Sequence, residues 1–344
     1  MIKLIIMKPL GLLLTIVCIV LCYGCPSSPP IEYEYTYFHP DNYVWVQAAD
    51  INENGEVVGS HIIYCKYGLC QDYSTGFIYS GGNFAYILPE GWRSSYANTI
   101  NDTGDVIGWG EDGEGAEKCF IYSSGQYTEL LPPGWVNACA RDINNKRDVV
   151  GGGTDSEGVG KGFIYSGGQY IKLLPPGWIN AYAHDINDNG GVLGDGCDGN
   201  GVHKGFIYSN GKYTELLPPD WINARFYYIN NNDEVVGEVD DGSGLPKEKK
   251  GFIYSGGKYT FFLPHGMNDI RVAGINDSGE VIGSAQDPDS FALYGFVYSK
   301  GRFTYLPSWV IPLGINNKGV LVGHAGYYRD GVQGFIATPV TTPK

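Results

Sequence analysis

Residues 162–178 read GFIYSGGQYIKLLPPGW, and close variants of this phrase begin at Gly76, Cys119, Gly205, Gly251 and Gly295. In an extended strand Phe163 and Tyr165 face one side and Ile164 the other, so both sides are apolar. Such a strand belongs between two packed layers rather than at a surface. Gly167-Gly168 then separates GFIYS from YIKLL, and a two-residue turn ending in Gly is a strong hairpin signal. The same turn recurs at Gly81-Gly82, Ser124-Gly125, Asn210-Gly211, Gly256-Gly257 and Lys300-Gly301.

A second phrase marks the period. Ile-Asn, a short turn, a Val/Ile pair and Gly recur with the Asn at 52, 101, 144, 187, 230, 276 and 316. The spacings are 49, 43, 43, 43, 46 and 40 residues, centred in the roughly 40–45-residue range of four-stranded propeller blades. Each copy reads as four strands: strand a ends at Ile-Asn (AYAHDIN, 181–187), strand b is the Val/Ile run (DEVVGEV, 233–239), strand c is GFIYS, and strand d is YTELL or its equivalent. The 51 glycines, the Pro pairs and the absence of any helical period exclude helical repeats.

The chain ends decide between a ring and an open array. YTYFHPDNYVWVQAADIN (35–52) aligns without gaps on YTELLPPGWVNACARDIN (127–144), so the fold begins with a strand d. GFIATP (334–339) is a strand c with no strand d after it. The expectation is an all-β, seven-bladed β-propeller with four antiparallel strands per blade, its last blade completed by the N-terminal strand at 34–38. Pairing the two half-units removes the exposed edges that an open solenoid would leave. One domain then spans 34–339, with 340–344 as a tail.

Residues 1–24 read as a signal peptide: Lys3 and Lys8 precede the apolar stretch Leu10–Leu21, and no acidic residue appears before Glu32. Tyr23-Gly24-Cys25 matches a lipobox with Cys22 where Leu is usual, so Cys25 is the expected lipidation site and 25–33, rich in Pro and Ser, a tether. The protein is therefore expected outside the cytoplasm, as a bacterial membrane lipoprotein (outer membrane or cell surface) or in secreted form. Formal net charge is −14, two units more negative without Lys3 and Lys8. That charge excludes nucleic acid as a partner and leaves membrane contact to the N-terminal anchor. CKYGLC (Cys65–Cys70) has a spacing that can close a small disulfide loop in an oxidising compartment, while Cys119, Cys139 and Cys197 read equally well as buried or free thiols. No cofactor or metal set is legible: the calcium-like Asp50–Gly55 and Asp185–Gly190 segments lack the closing acid. A monomer is expected.

The segments GFIYS-x-G and IN-x-x-G-x-VVG resemble those of the bacterial extracellular HAF-repeat family, over roughly residues 50–337. The family's His-Ala-Phe falls on Lys161-Gly162-Phe163, with Phe kept in every copy and His in none. The resemblance implies secretion and a propeller-like β architecture, and it carries no catalytic residues to transfer.

Loop lengths separate two faces. The span from the Asn to the Gly closing strand b is seven residues in all seven copies, whereas the span from that Gly to the strand-c Phe runs 18, 12, 12, 12, 15, 13 and 12. The a–b and c–d turns form a uniform face, and the b–c and d–a connections a variable one, where binding residues concentrate. The variable face carries Tyr43, Trp92, Trp135, Trp178, Trp221 and Trp309 beside acidic b–c loops such as Glu111-Asp112 and Asp155. Aromatic rings beside carboxylates suit sugars, though rings at a fixed repeat position also serve as wedges between blades. A second candidate is the channel mouth, where the repeat itself does not require Arg141, His184, Arg225 or Arg271; isolated cations there suit an anionic group, or serve as paired internal polar groups. The expected function is a binding module for a glycan or an extracellular protein. The alternatives are a glycan-acting propeller enzyme with chemistry near His184 and Arg225, or a structural surface module. No G-x-S-x-G, H-E-x-x-H or P-loop occurs, so no catalytic residue is assigned.

Overall fold

The computed structural model describes residues 16–17, 31–40, 44–63, 73–218, 223–240, 249–267, 269–326 and 331–340. The expected lipidation site Cys25, the candidate ligand residues Tyr43 and Trp221, and Cys65 and Cys70 lie outside the described residues, as does the expected leader apart from Ile16–Val17.

Seven antiparallel sheets follow one another along the chain, each ordered a-b-c-d. Blade 3 is typical, with strands Trp135–Ile143, Val149–Asp155, Gly160–Ser166 and Gln169–Leu173. Blade 7 takes Val310–Ile315, Leu321–Ala325 and Gln333–Pro339 from the C-terminal region and Tyr33–Phe38 as its strand d. The register runs from Tyr33 opposite Pro339 to Phe38 opposite Gly334, so the ring closes by strand pairing as the half-units predict. Ile16–Val17 pairs in turn with Glu34 and Tyr35 at that outer edge.

The repeated phrases account for this architecture. Each c–d turn holds both central residues at positive φ, as at Gly81 (56°) and Gly82 (86°), which is the hairpin geometry whose twist matches the flanking strands. The strand-c phenylalanines Phe77, Phe120, Phe163, Phe206, Phe252, Phe296 and Phe335 are all buried. Each contributes roughly 2–3 kcal/mol of burial. The apolar clusters straddle blade boundaries: Val58 and Ile87 of blade 1 pack with Ala97, Ile100, Val106 and Phe120 of blade 2. Two apolar faces per inner strand are needed because each blade packs on both of its neighbours.

Candidate functional site

The innermost strands surround a central channel whose two ends differ. At the uniform end the seven repeat asparagines form a closed ring. Each Asn Nδ2 donates to the backbone carbonyl of the next blade's Asn: Asn52 to Asn101, Asn101 to Asn144, Asn144 to Asn187, Asn187 to Asn230, Asn230 to Asn276, Asn276 to Asn316, and Asn316 back to Asn52, all at 3.0–3.2 Å. The next residue repeats the circuit: the Glu53 N–H donates to Asp102 Oδ1, and so on through Asn145, Asp188, Asn231, Asp277 and Asn317 back to Glu53. The Asn side chains also shape their own turns, Asn52 Oδ1 accepting from the N–H groups of Asn54 and Glu56. Sequence reading assigns these asparagines to the hairpin alone. The signal for more was present, since a turn does not require the same residue seven times while its left-handed position varies from Gly55 to Arg147 and Asp233.

Midway along strand a every blade carries a β-bulge. The register shifts fall at Ala49, Asn98, Arg141, His184, Tyr227, Ala273 and Leu313, the column three residues before the Asn. A bulge re-aims side chains, and all of this column except Ala273 lines the cavity at the variable end of the channel. The following residue faces the channel interior. Asp50, Asp142 and Asp185 occupy it in three blades and accept from the next blade's backbone, at Ile100 (3.0 Å), Ile186 (2.9 Å) and Ile229 (2.6 Å). Burial, with the charges of Asp142 and Asp102 adding to it, pushes Asp50 up to about 7 against the pull of its two backbone hydrogen bonds. Asp142 is also raised, by burial and by the neighbouring Asp185, with which it shares a hydrogen bond. These carboxylates hold blades together rather than face a ligand as free charges.

The variable end opens as a cavity of about 980 Å³ lined on the side of blades 3 to 5 by Arg141, His184, Asp195, Arg225, Tyr227 and Glu238. Its acids are engaged. Asp195 lies 2.8 Å from His184 Nε2 and 3.6 Å from His203 Nε2. Burial works to raise Asp195, but the two imidazoles outweigh it and hold the carboxyl down at about 2. Glu238, 6% exposed, accepts from the Val272 N–H at 2.9 Å and from the Tyr227 hydroxyl at 3.4 Å, with Lys249 Nζ at 3.8 Å. The arginines differ: among the described residues no ion pair includes Arg141, Arg225 or Arg271, and all three are exposed. Arg225 reaches the Tyr227 hydroxyl. Arg271 shares the column of Arg225 but does not line the cavity.

The aromatic candidates are placed differently from the expectation of a ligand platform. Trp135 and Trp178 are each 6% exposed and meet the strand-c Phe of their own blade edge-on, Phe163 at 6.0 Å and Phe206 at 5.8 Å. Trp135 belongs to the cluster between blades 2 and 3. Both rings are committed to packing, because strand a begins at them and carries them inward. Trp92 meets Phe120 in the same way at 5.7 Å, and Trp309 is half-buried in a positive-φ turn. The acidic loops are likewise occupied in part with their own turns: Asp155 Oδ1 accepts from Glu157 and Val159, and Asp198 Oδ1 from Asn200 and Val202, while Lys161 and Lys204 pair with the remaining oxygens. What the variable face exposes instead is a set of single apolar side chains, with Val136 70%, Phe291 67% and Ile179 55% accessible. Among the described residues no group of three or more His, Cys, Asp or Glu is placed to hold a metal ion.

No family model and no curated protein matches the chain, so the HAF-repeat likeness stays a resemblance of motifs. Solved structures match the fold. The β-propeller domain of the Trilobed protease from Pyrococcus furiosus is similar at TM-score 0.58 and 10% identity, over 87% of this chain and 98% of that one. A prolyl endopeptidase structure is similar at TM-score 0.59 and 14% identity, over 88% of this chain and 49% of that one. Acylaminoacyl peptidase from Pyrococcus horikoshii is similar at TM-score 0.57 and 10% identity, over 87% and 52%. This chain thus spans about half the length of the two peptidases, and at these identities the likeness establishes that it is a seven-bladed β-propeller.

Proposed function

We propose that the protein is an exported binding module whose channel mouth holds an anionic group of a protein ligand between Arg141 and Arg225. The observation that carries this reading is the contrast inside one cavity: its carboxylates Asp195 and Glu238 have cationic or hydrogen-bonding partners, while these two guanidiniums have no carboxylate partner among the described residues. Guanidinium suits carboxylate and phosphate through paired N–H donors. A protein ligand fits better than a glycan because Trp135 and Trp178 are buried and the rim exposes separate apolar side chains, Val136, Ile179 and Phe291, rather than a row of indoles. Strand topology supports an orientation. Tyr33 starts the outer strand of blade 7 at the uniform face, so a lipid on Cys25 would set that face toward the membrane and the channel mouth away from it. HAF-repeat membership is part of the same proposal and accords with export.

The test is an array of acidic and neutral peptides, with uronate-containing glycans beside them, probed with the wild-type chain and with Arg141→Gln/Arg225→Gln. The proposal expects acidic peptides to be retained, less so at high salt, with about a tenfold loss or more in the double variant, in line with one or two charge-assisted contacts. Retention unchanged by the substitutions, or confined to neutral glycans, contradicts it.

A further inference from the structure

The residue before the strand-c phenylalanine is glycine in six blades: Gly76, Gly162, Gly205, Gly251, Gly295 and Gly334. The reason is close approach. A Cβ on Gly76 would lie 3.1 Å from the Ala97 nitrogen, one on Gly162 3.1 Å from the Ala183 nitrogen, and one on Gly205 2.7 Å from the Phe226 ring, all on strand a of the next blade. Blade 2 alone breaks the rule, with Cys119, which is 4% exposed. The facing strand a breaks its own column at the same boundary. Five residues before the Asn the seven blades carry Gln47, Tyr96, Cys139, Tyr182, Arg225, Arg271 and Ile311, and the single cysteine belongs to blade 3, which packs on Cys119. The two departures meet: Cys119 is buried in the cluster between blades 2 and 3 with Ile107, Leu130 and Ala140, Cys139 packs against that cluster with its Sγ 3.6 Å from the Ala140 carbonyl, and each thiol is the strongest influence on the other's ionisation.

From this paired departure we propose that Cys119 and Cys139 form a disulfide that staples blade 2 to blade 3 in the exported protein. Both thiols are free in this structure and share one packed cluster, so a side-chain movement within it is what brings the sulfurs to the ~2 Å of an S–S bond. The chemistry is thiol–disulfide exchange with an external disulfide donor. Cys139, half-buried and therefore reachable, loses its proton and attacks one donor sulfur, and the donor's other sulfur leaves as a thiolate. Cys119 then loses its proton, attacks the Cys139 sulfur, and displaces the first donor sulfur. Two protein thiols give up two electrons and two protons in all, and the donor disulfide becomes a dithiol. The environment suits that order of events: the hydrogen bond from Cys119 lowers the Cys139 thiol despite its burial, and the nearby Arg141 charge adds to this. Cys119 is pushed up by the same contact and by burial, which leaves the first attack to Cys139. Cys197, on strand b of blade 4 and outside this cluster, serves as the internal control.

The purified chain is equilibrated with oxidised glutathione under native conditions, its remaining thiols are alkylated in denaturant, and the unreduced digest is mapped. A linked peptide pair containing Cys119 and Cys139, with Cys197 recovered alkylated, is expected. In parallel, dithiothreitol should lower the melting temperature of the oxidised wild type by roughly 5 °C and leave Cys139→Ser unchanged. Recovery of Cys119 and Cys139 both alkylated, or as separate glutathione adducts, overturns the proposal. So does an equal dithiothreitol response in wild type and Cys139→Ser, which would place the stabilising bond elsewhere in the chain. The map on the wild type decides the matter even if the variant does not fold.

Discussion

The two ends of the channel are built from the same seven strands, yet they obey opposite rules. At the uniform end each copy supplies the same Asn, and seven identical hydrogen bonds close on themselves. At the variable end the same strands present Ala49, Asn98, Arg141, His184, Tyr227, Ala273 and Leu313 at a single repeated position. Repetition marks what the ring needs in order to close. Departure from repetition marks what closure does not require, and so where a ligand can be selected. The difference is physical, because a ring of hydrogen bonds fails if one member changes, while a column facing an open cavity tolerates any side chain that water can reach.

The largest effect should come from breaking the uniform end. Asn187 donates to the Asn230 carbonyl (3.0 Å) and to Asp233 Oδ1 (2.8 Å), and its own oxygen accepts from Asn189 and Gly191. Asn187→Ala leaves buried donors and acceptors without partners and should cost about 3 kcal/mol, read by urea unfolding. A loss below about 0.5 kcal/mol would mean that the ring is ornamental, since that is the range of an ordinary surface substitution.

The channel interior, between the two ends, should show in pH dependence. Asp50 has a folded pKa of about 7 against an ordinary 3.8, so the folded state binds more protons than the unfolded state between these values. Stability therefore falls as pH rises through that window, and the penalty is complete above it. Asn imitates the protonated acid, so Asp50→Asn should stabilise by on the order of 2 kcal/mol at pH 8 and by nearly nothing at pH 4. A pH-independent effect of the substitution would contradict the assignment.

A smaller effect compares two copies directly. Trp178 donates its indole N–H to Glu215 at 3.3 Å, whereas the Trp135 indole N–H is buried without an acceptor among the described residues. The residue of blade 3 equivalent to Glu215 is Lys172. Lys172→Glu should supply the acceptor and raise stability by about 1 kcal/mol, visible in thermal melts. A destabilised variant would show that the two blades are not equivalent at this position.

The sequence carried the blade count, the turns and the closing strand because each rests on a repeated local signal. Other features were present but unread. In every copy the apolar residues of strand a are spaced Ala-x-x-Ile or similar, as at Ala48 and Ile51 or Ala140 and Ile143, with both members buried in blades 1 to 5. Strict alternation demands an even spacing, so the odd spacing announces the bulge that aims Arg141 and His184 into the channel. Burial of Trp135 and Trp178 was not legible, since a ring at a fixed position serves packing and binding alike. Which charges are free was also hidden. Asp195 finds its imidazoles on strands a and c of its own blade, and Cys119 meets Cys139 across a blade boundary, pairings that only the assembled ring makes visible.

The division between the two ends is tested most directly by measuring melting temperature and acidic-peptide retention on the same two variants, Asn187→Ala and Arg141→Gln/Arg225→Gln. Asn187→Ala should melt well below the wild type and, assayed below its transition, retain peptide normally. The arginine double variant should melt within about 1 °C of the wild type, as exposed charges in no ion pair among the described residues predict, and lose retention. The reverse pattern, or retention and stability falling together in both variants, would contradict the separation of scaffold from site.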